Sequence, residues 1–273
     1  MTFAVYREIM PRQLSAPFFS DAPVFDRAQY AKAVGRETGD RVVSAMLEQH
    51  LKAGNIRRIA RGVFASVPKH ADAATWSVDR FLAASKLRHG GVIGYHSALE
   101  LHGYAYTEGQ DVQVIAEGHP LTLHAEGLTC RFVRPPKGLN TPGAVERIDR
   151  LGVFIPVTTL ERTLADLFDR PGLAGGGEEL LNSLDLITRV DVTRLRSQVA
   201  AIGNATAAAV CGWWLERAPP EMRVSKEAVD SFRPLAPTQP RYALGAKPGD
   251  AKLVPGWKIF LPPSLINRRF EGT

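Results

Sequence analysis

The sequence predicts an α+β protein built in two parts. Three observations carry that expectation. Apolar residues recur at helical spacing up to about residue 51, turn to strand-like alternation between about residues 112 and 157, and return to helical spacing from residue 160 to about residue 215. Glycine and proline clusters punctuate each change of period. A basic hairpin pattern follows the first two helical segments directly.

The first part is organised around Phe25 to Val67. Asp26 is placed to cap a short helix through its side-chain oxygen, with Ala28, Ala31 and Val34 on its apolar face and Gly35 at its end. A second helix starts near Thr38 to Asp40. Val43, Met46, Leu47, His50 and Leu51 share one face of it, and Arg41, Ser44, Ala45 and Glu48 share the other. Ile56 to Ile59 and Val63 to Ser66 then read as two strands about the tip Ala60-Arg61-Gly62, where Gly62 supplies a positive φ. Helix, helix and basic hairpin in that order form the layout of a winged helix-turn-helix. The expected DNA-binding residues are Arg36, Thr38, Asp40, Arg41 and Ser44 around the N-terminus of the second helix, and Arg57, Arg58 and Arg61 on an exposed hairpin. A basic hairpin can also be a solvated sheet edge with protective charges; the order of elements favours DNA. Ahead of this module, Val5 to Met10 is expected to be a short helix, and Arg7 and Arg12 could act as an arm.

Charge supports the same division. Of 34 basic and 28 acidic residues, residues 1–70 hold 11 and 6, which leaves 23 and 22 for the rest. The excess of +5 therefore sits on the first part, against +1 on the second, as expected if only the first part meets a polyanion. Two cysteines make no disulfide framework. The opening MTFAVYREIM lacks a signal-peptide core, and the longest apolar run is too short to span a bilayer, so a cytoplasmic protein is expected.

The boundary between the parts is expected at residue 68, giving a winged helix over 1–68 and an α+β domain over 69–273, with Pro68 to Thr75 as linker. In the second part, helices are expected from Ser77 to about Gly90 and from Tyr95 to Gly103. Strands are expected at 112–115, 121–124, 128–133, 145–148 and 153–157. Thr158 or Thr159, Asp191 and Asn204 read as caps of later helices. Residues 218–256 read as a proline-, glycine- and charge-rich stretch with one helix at 226–232. Trp257 to Leu261 reads as a strand kept at an edge by Pro262-Pro263.

The signs of chemistry are weak. Ser97 beside His96 and His102 could form a nucleophile pair, but no Gly-x-Ser-x-Gly elbow is present, and Ser97 is better read as a helix cap. His119, His124 and Cys130 fit no zinc spacing, so no metal and no cofactor is expected. Arg162 and Asp166 lie at i, i+4, as an intrahelical ion pair or as a buried polar contact to the sheet. A restriction-type nuclease needs clustered carboxylates and a lysine. The nearest pattern, Asp250-Ala251-Lys252, sits in a stretch with poor strand character. The chain is thus not expected to be an enzyme.

Three blocks carry a family resemblance: Arg58-Ile59-Ala60-Arg61-Gly62-Val63-Phe64, the Ser97-Ala98-Leu99 to His102-Gly103 stretch, and the Arg162-Thr163-Leu164-x-Asp166 helix. In order and spacing they resemble the AbiEi-family antitoxins of type IV toxin–antitoxin systems. The resemblance spans about residues 25–170 and leaves 218–273 unplaced. It implies an antitoxin and transcriptional regulator that represses its own operon at inverted repeats of double-stranded DNA. It implies further that the second domain counteracts a nucleotidyltransferase-like toxin without a stable complex. The alternatives are an effector-responsive repressor and, further off, a DNA nuclease delivered by a winged helix.

Overall fold

The computed structural model describes residues 17–71, 75–125 and 127–267. The expected helix at Val5 to Met10 and the arm residues Arg7 and Arg12 lie outside them. The fold is mixed α+β, with two three-stranded sheets and one six-stranded sheet. No helix among the described residues is long and apolar enough to cross a membrane.

After helical residues at 17–21, the chain lays down β1 (Val24–Asp26), α1 (Arg27–Ala33), α2 (Arg41–Lys52), β2 (Ile56–Ala60) and β3 (Val63–Ser66). Asp26 caps α1 in a full capping box with Gln29. Asp40 caps α2 by accepting the Val42 N–H. The hairpin forms as expected, with Gly62 at φ 78°. Strand β1 was not legible: three residues behind a proline carry no periodic signal, yet they pair antiparallel with β3 to make a sheet of order β1-β3-β2.

Every residue of β3 is buried, because this sheet has helices on both faces. By strand alternation, Phe25, Ile56 and Phe64 face α1 and α2 and join Tyr30, Val43 and Leu47 in one core. Val24, Ile59, Val63 and Ala65 face the other way, into a core shared with α3 (Arg80–Leu87). Burying each of the valine and isoleucine side chains stabilises by about 1.5–3 kcal/mol, so the first module leans on the second part of the chain.

Helix α3 is sandwiched. Its other side packs on a six-stranded sheet of order β6-β7-β5-β4-β9-β8. Those strands are β4 (Val92–Ile93), β5 (Val112–Ile115), β6 (Leu121–Ala125), β7 (Leu128–Val133), β8 (Val145–Arg150) and β9 (Val153–Thr158). β4 runs parallel to β9 and β5 parallel to β7, and the remaining neighbours are antiparallel. Val112 and Val114 face α3, and Ile115 faces the opposite core with α4 (Tyr95–His102) and α5 (Leu160–Asp169). Covering on both faces explains why β5 is wholly buried.

The cap of α4 is a correction. Gly94 occupies the N-cap position. Ser97 lies inside the helix, fully buried, where its hydroxyl accepts the Gln113 N–H at 2.9 Å and donates to the Asp111 carbonyl at 3.4 Å. It ties the helix to β5. Thr159, Asp191 and Asn204 do cap α5, α7 (Val192–Ile202) and α8 (Ala205–Glu216). Between α5 and α7 lies α6 (Gly177–Asp185).

The last stretch also differs from expectation. Beyond α9 (Lys226–Asp230), residues 241–261 build a third sheet from β10 (Arg241–Tyr242), β11 (Lys252–Val254) and β12 (Ile259–Leu261). β12 is its central strand, parallel to β10 and antiparallel to β11. The two prolines follow the strand and open α10 (Pro263–Ile266), so they cost it no ladder bond. Trp257 docks this sheet on α8, with its ring against Gly212 and its Nε1–H donating to the Glu216 carboxylate at 2.8 Å. A Cβ at position 212 would collide with three ring atoms of a Trp257 that is 1% exposed. Gly212→Ala is therefore expected to destabilise the protein by about 1–3 kcal/mol, read as a lower midpoint in chemical denaturation. Unchanged stability would mean that the C-terminal sheet can slide on α8.

Candidate nucleic-acid interface

The N-terminus of α2 is held by a residue the sequence reading passed over. Arg27, the first residue of α1, points its guanidinium across the turn between the two helices. Its Nε donates to the Thr38 carbonyl at 2.6 Å, Nη2 to the Asp40 carbonyl at 3.0 Å and Nη1 to the Ser44 hydroxyl at 2.8 Å. A planar guanidinium with several fixed donors suits such a latch. No local period could reveal it, because its partners lie 11 to 17 residues away.

Around the latch, Arg36 pairs with Asp40 at 2.8 Å on the surface. The Val42 N–H, and then the Arg36 side chain, hold the Asp40 carboxyl below its usual range. Thr38 is exposed, with its carbonyl occupied by Arg27. Ser44 is half-buried and bonded. Arg41 is exposed at the first position of α2, and no ion-pair partner for it occurs among the described residues.

The hairpin separates its arginines. Successive strand side chains point to opposite faces, so Arg57 and Arg58 diverge. Arg58 points to the α2 side, where it pairs with Glu48 at 2.8 Å, and both side chains are more than half exposed. Arg57 points to the α3 side, and its Nη1 donates to the Trp76 carbonyl at 2.8 Å. The expectation that all three hairpin arginines are exposed is thus corrected for Arg57, which is half-buried. Arg61 sits exposed at the tip, again without an ion-pair partner among the described residues.

Of the eight sequence-predicted residues, Arg36, Thr38, Asp40, Arg41 and Ser44 gather about the start of α2, Arg58 lies beside that helix, Arg61 stands at the tip, and Arg57 turns away.

The remaining chemistry-bearing residues are dispersed over the second part of the chain. His96 bonds the Thr107 carbonyl at 2.9 Å, and His102 bonds the Thr158 carbonyl at 2.8 Å. His124 pairs with Thr129, Cys130 is buried, and the His119 carbonyl accepts from Arg88. Asp250 and Lys252 are exposed at the start of β11. Among the described residues no group of three or more His, Cys, Asp or Glu side chains could hold a metal ion. Arg162 and Asp166, fully buried, make the expected intrahelical pair but not the expected contact to the sheet. They form an ion pair within α5, and Arg162 Nη2 also donates to the Lys137 carbonyl at 2.7 Å, in the segment after β7 rather than in the sheet.

No protein-family model and no curated protein sequence matches the chain. Among solved structures, the crystal structure of the RV2827C protein from Mycobacterium tuberculosis is similar, with a TM-score of 0.64 and 15% identity, over 92% of this chain and 91% of that chain. At that identity the likeness is one of fold alone.

Proposed function

We propose that α1, α2 and the β2–β3 hairpin form a winged helix-turn-helix that binds double-stranded DNA. The chain is then a cytoplasmic antitoxin of the AbiEi type that represses its own operon. The observation that carries the DNA reading is the pair of exposed arginines with no acidic partner among the described residues, Arg41 at the start of a latched helix and Arg61 at the hairpin tip. A helix N-terminus pinned by Arg27 presents Arg41 to base edges in a fixed orientation. A tip arginine suits a phosphate or a minor groove.

The test is binding of the full chain to its own promoter and to a random duplex over a series of salt concentrations. Arg61→Ala is expected to weaken both complexes and to reduce the salt slope by roughly 1. Arg41→Ala is expected to narrow the gap between promoter and random DNA. Equal, salt-independent binding in all three proteins would remove the interface.

The antitoxin part rests on the resemblance of the Ser97–His102 and Arg162–Asp166 blocks. It implies that growth rescue from a nucleotidyltransferase-like toxin does not need DNA binding. A full chain carrying both arginine replacements should still rescue growth, and failure to do so would favour plain repression.

A second reading has one observation in its favour. A cleft of about 460 Å³ lies between the hairpin and residues 75–78, lined by Arg57, Ile59, Ala65, Trp76 and Val78 among others. It lies on the α3-facing side of the hairpin, away from α2, where an effector could shift the hairpin. A small molecule that shifts promoter affinity of the wild type but not of Trp76→Ala would favour the effector-responsive repressor.

A further inference from the structure

Strand β8 closes one edge of the six-stranded sheet, and among the described residues no strand pairs with its outer side. It reads Val145-Glu146-Arg147-Ile148-Asp149-Arg150. Charges on an edge ordinarily prevent strand addition. Their order here does the reverse for one particular partner. We infer that β8 is a self-association edge, at which a second copy of this chain adds its own β8 antiparallel.

The backbone restricts the register. β8 and β9 are joined by the turn Leu151-Gly152, with φ of 53° and 79°, as a tight two-residue hairpin requires. The flanking pair Arg150 and Val153 therefore exchanges both backbone bonds, and pairing alternates from there. Ile148 and Glu146 also direct their backbone groups to β9. Val145, Arg147 and Asp149 direct theirs to the open edge. A second antiparallel strand must set these outward residues against one another.

Centring the pair on Ile148 satisfies that condition. Arg147 then faces Asp149 of the second copy, Asp149 faces Arg147 of the second copy, and Glu146 and Arg150 face each other in both directions. Ile148 meets its own counterpart. A slip to either adjacent allowed register sets Arg147 against Arg147 or Asp149 against Asp149, which is unfavourable. The sequence is thus charge-complementary to itself in one register only.

Exposed apolar groups lie where this pairing would cover them. Phe154 is 57% exposed and sits beside Asp149 on one face of the sheet. Arg147 of the second copy would extend that rung, and its aliphatic stem can lie along the ring. Leu151, 70% exposed, would stand level with Val145 of the second copy. Arg150 is already held by Asp79 at 2.7 Å, so it is fixed in place before Glu146 of the second copy arrives. The inference stands whether or not the chain binds DNA.

The experiment is sedimentation velocity on the full chain with paired charge reversals. The wild type is expected to be a dimer in rapid exchange. Arg147→Asp and Asp149→Arg should each weaken self-association roughly tenfold or more, since two opposed pairs per dimer change sign. Mixed in equal amounts, those two variants should form a heterodimer, because each supplies what the other lacks. The double variant carrying both reversals should dimerise again. Asp149 also accepts the Gly152 N–H at 2.8 Å, so melting curves accompany each variant. Arg147→Pro, which removes an outward-facing N–H together with a side chain that donates to the Phe154 carbonyl at 3.4 Å, should likewise give a folded monomer. A wild type that stays monomeric up to its solubility limit would overturn the inference, as would a dimer that all these variants leave intact.

Discussion

Arg162→Ala is expected to destabilise the folded chain by about 3–5 kcal/mol, the usual cost of stripping one partner from a buried ion pair. Arg162 is 0% and Asp166 1% exposed. The guanidinium meets the carboxylate at 3.0 Å through Nε and at 2.8 Å through Nη2. Its remaining capacity goes to the Lys137 carbonyl and, more weakly, to the Gln198 side chain at 3.5 Å. The pair thus joins α5, the segment after β7 and α7. Truncation leaves a buried carboxylate and an unbonded carbonyl. Replacing both members with apolar residues of similar size should cost less than the single change, and chemical denaturation of the three variants would show it. Burial already pushes the Asp166 carboxyl up to about 6, against the pull of Arg162. An acid that binds its proton more tightly folded than unfolded adds most to stability below its unfolded value, and that contribution falls as pH rises through about 6. Without Arg162 the carboxyl should rise further, so the decline should extend toward neutral pH. A single replacement that leaves stability unchanged would show that the site relaxes or takes in water.

Much of the fold was legible because its signals are local. Asp26, Asp40, Thr159, Asp191 and Asn204 are short polar residues just ahead of apolar periodic runs, and each accepts the backbone bond a cap should. The five strands expected between residues 112 and 157 also form, with β8 running two residues further than expected. What was illegible depends on contacts distant in sequence. β1, β10 and β11 have two or three residues each, too few for a period, and exist because a neighbouring strand is already in place. β12 takes the centre of its sheet because strands on both sides pair with it, which no property of its own residues foretells.

The candidate site divides in the same way. The exposure of Arg41 and Arg61 followed from helical period and turn chemistry. The diversion of Arg57 did not, although alternation alone separates it from Arg58; its partner, the Trp76 carbonyl, lies 19 residues on. The charge excess at the N-terminal end also overstates what DNA could meet, because Arg27 is spent inside the module and Arg36 and Arg58 already have carboxylate partners.

That inequality among cations sets the largest expected effect on binding. The full chain with Arg41→Ala and Arg61→Ala together is expected to lose about a hundredfold or more in affinity for its promoter. About 1–3 kcal/mol is assigned to a base contact by Arg41, and one released counterion to Arg61. Both side chains are exposed and without ion-pair partners among the described residues, so no ion pair has to break when they meet phosphate or base. Arg36 and Arg58 must first leave Asp40 and Glu48. Exposed pairs of that kind are worth up to about 1 kcal/mol, and the released carboxylates then face phosphates. Arg36→Ala and Arg58→Ala should accordingly have much smaller effects than Arg41→Ala and Arg61→Ala. Circular dichroism should show all four variants folded, since none of these side chains is buried. If Arg58→Ala proves more damaging than Arg61→Ala, the hairpin meets DNA through its α2-facing side and not its tip. If the double variant binds as the wild type does, neither the start of α2 nor the hairpin tip is the reading surface.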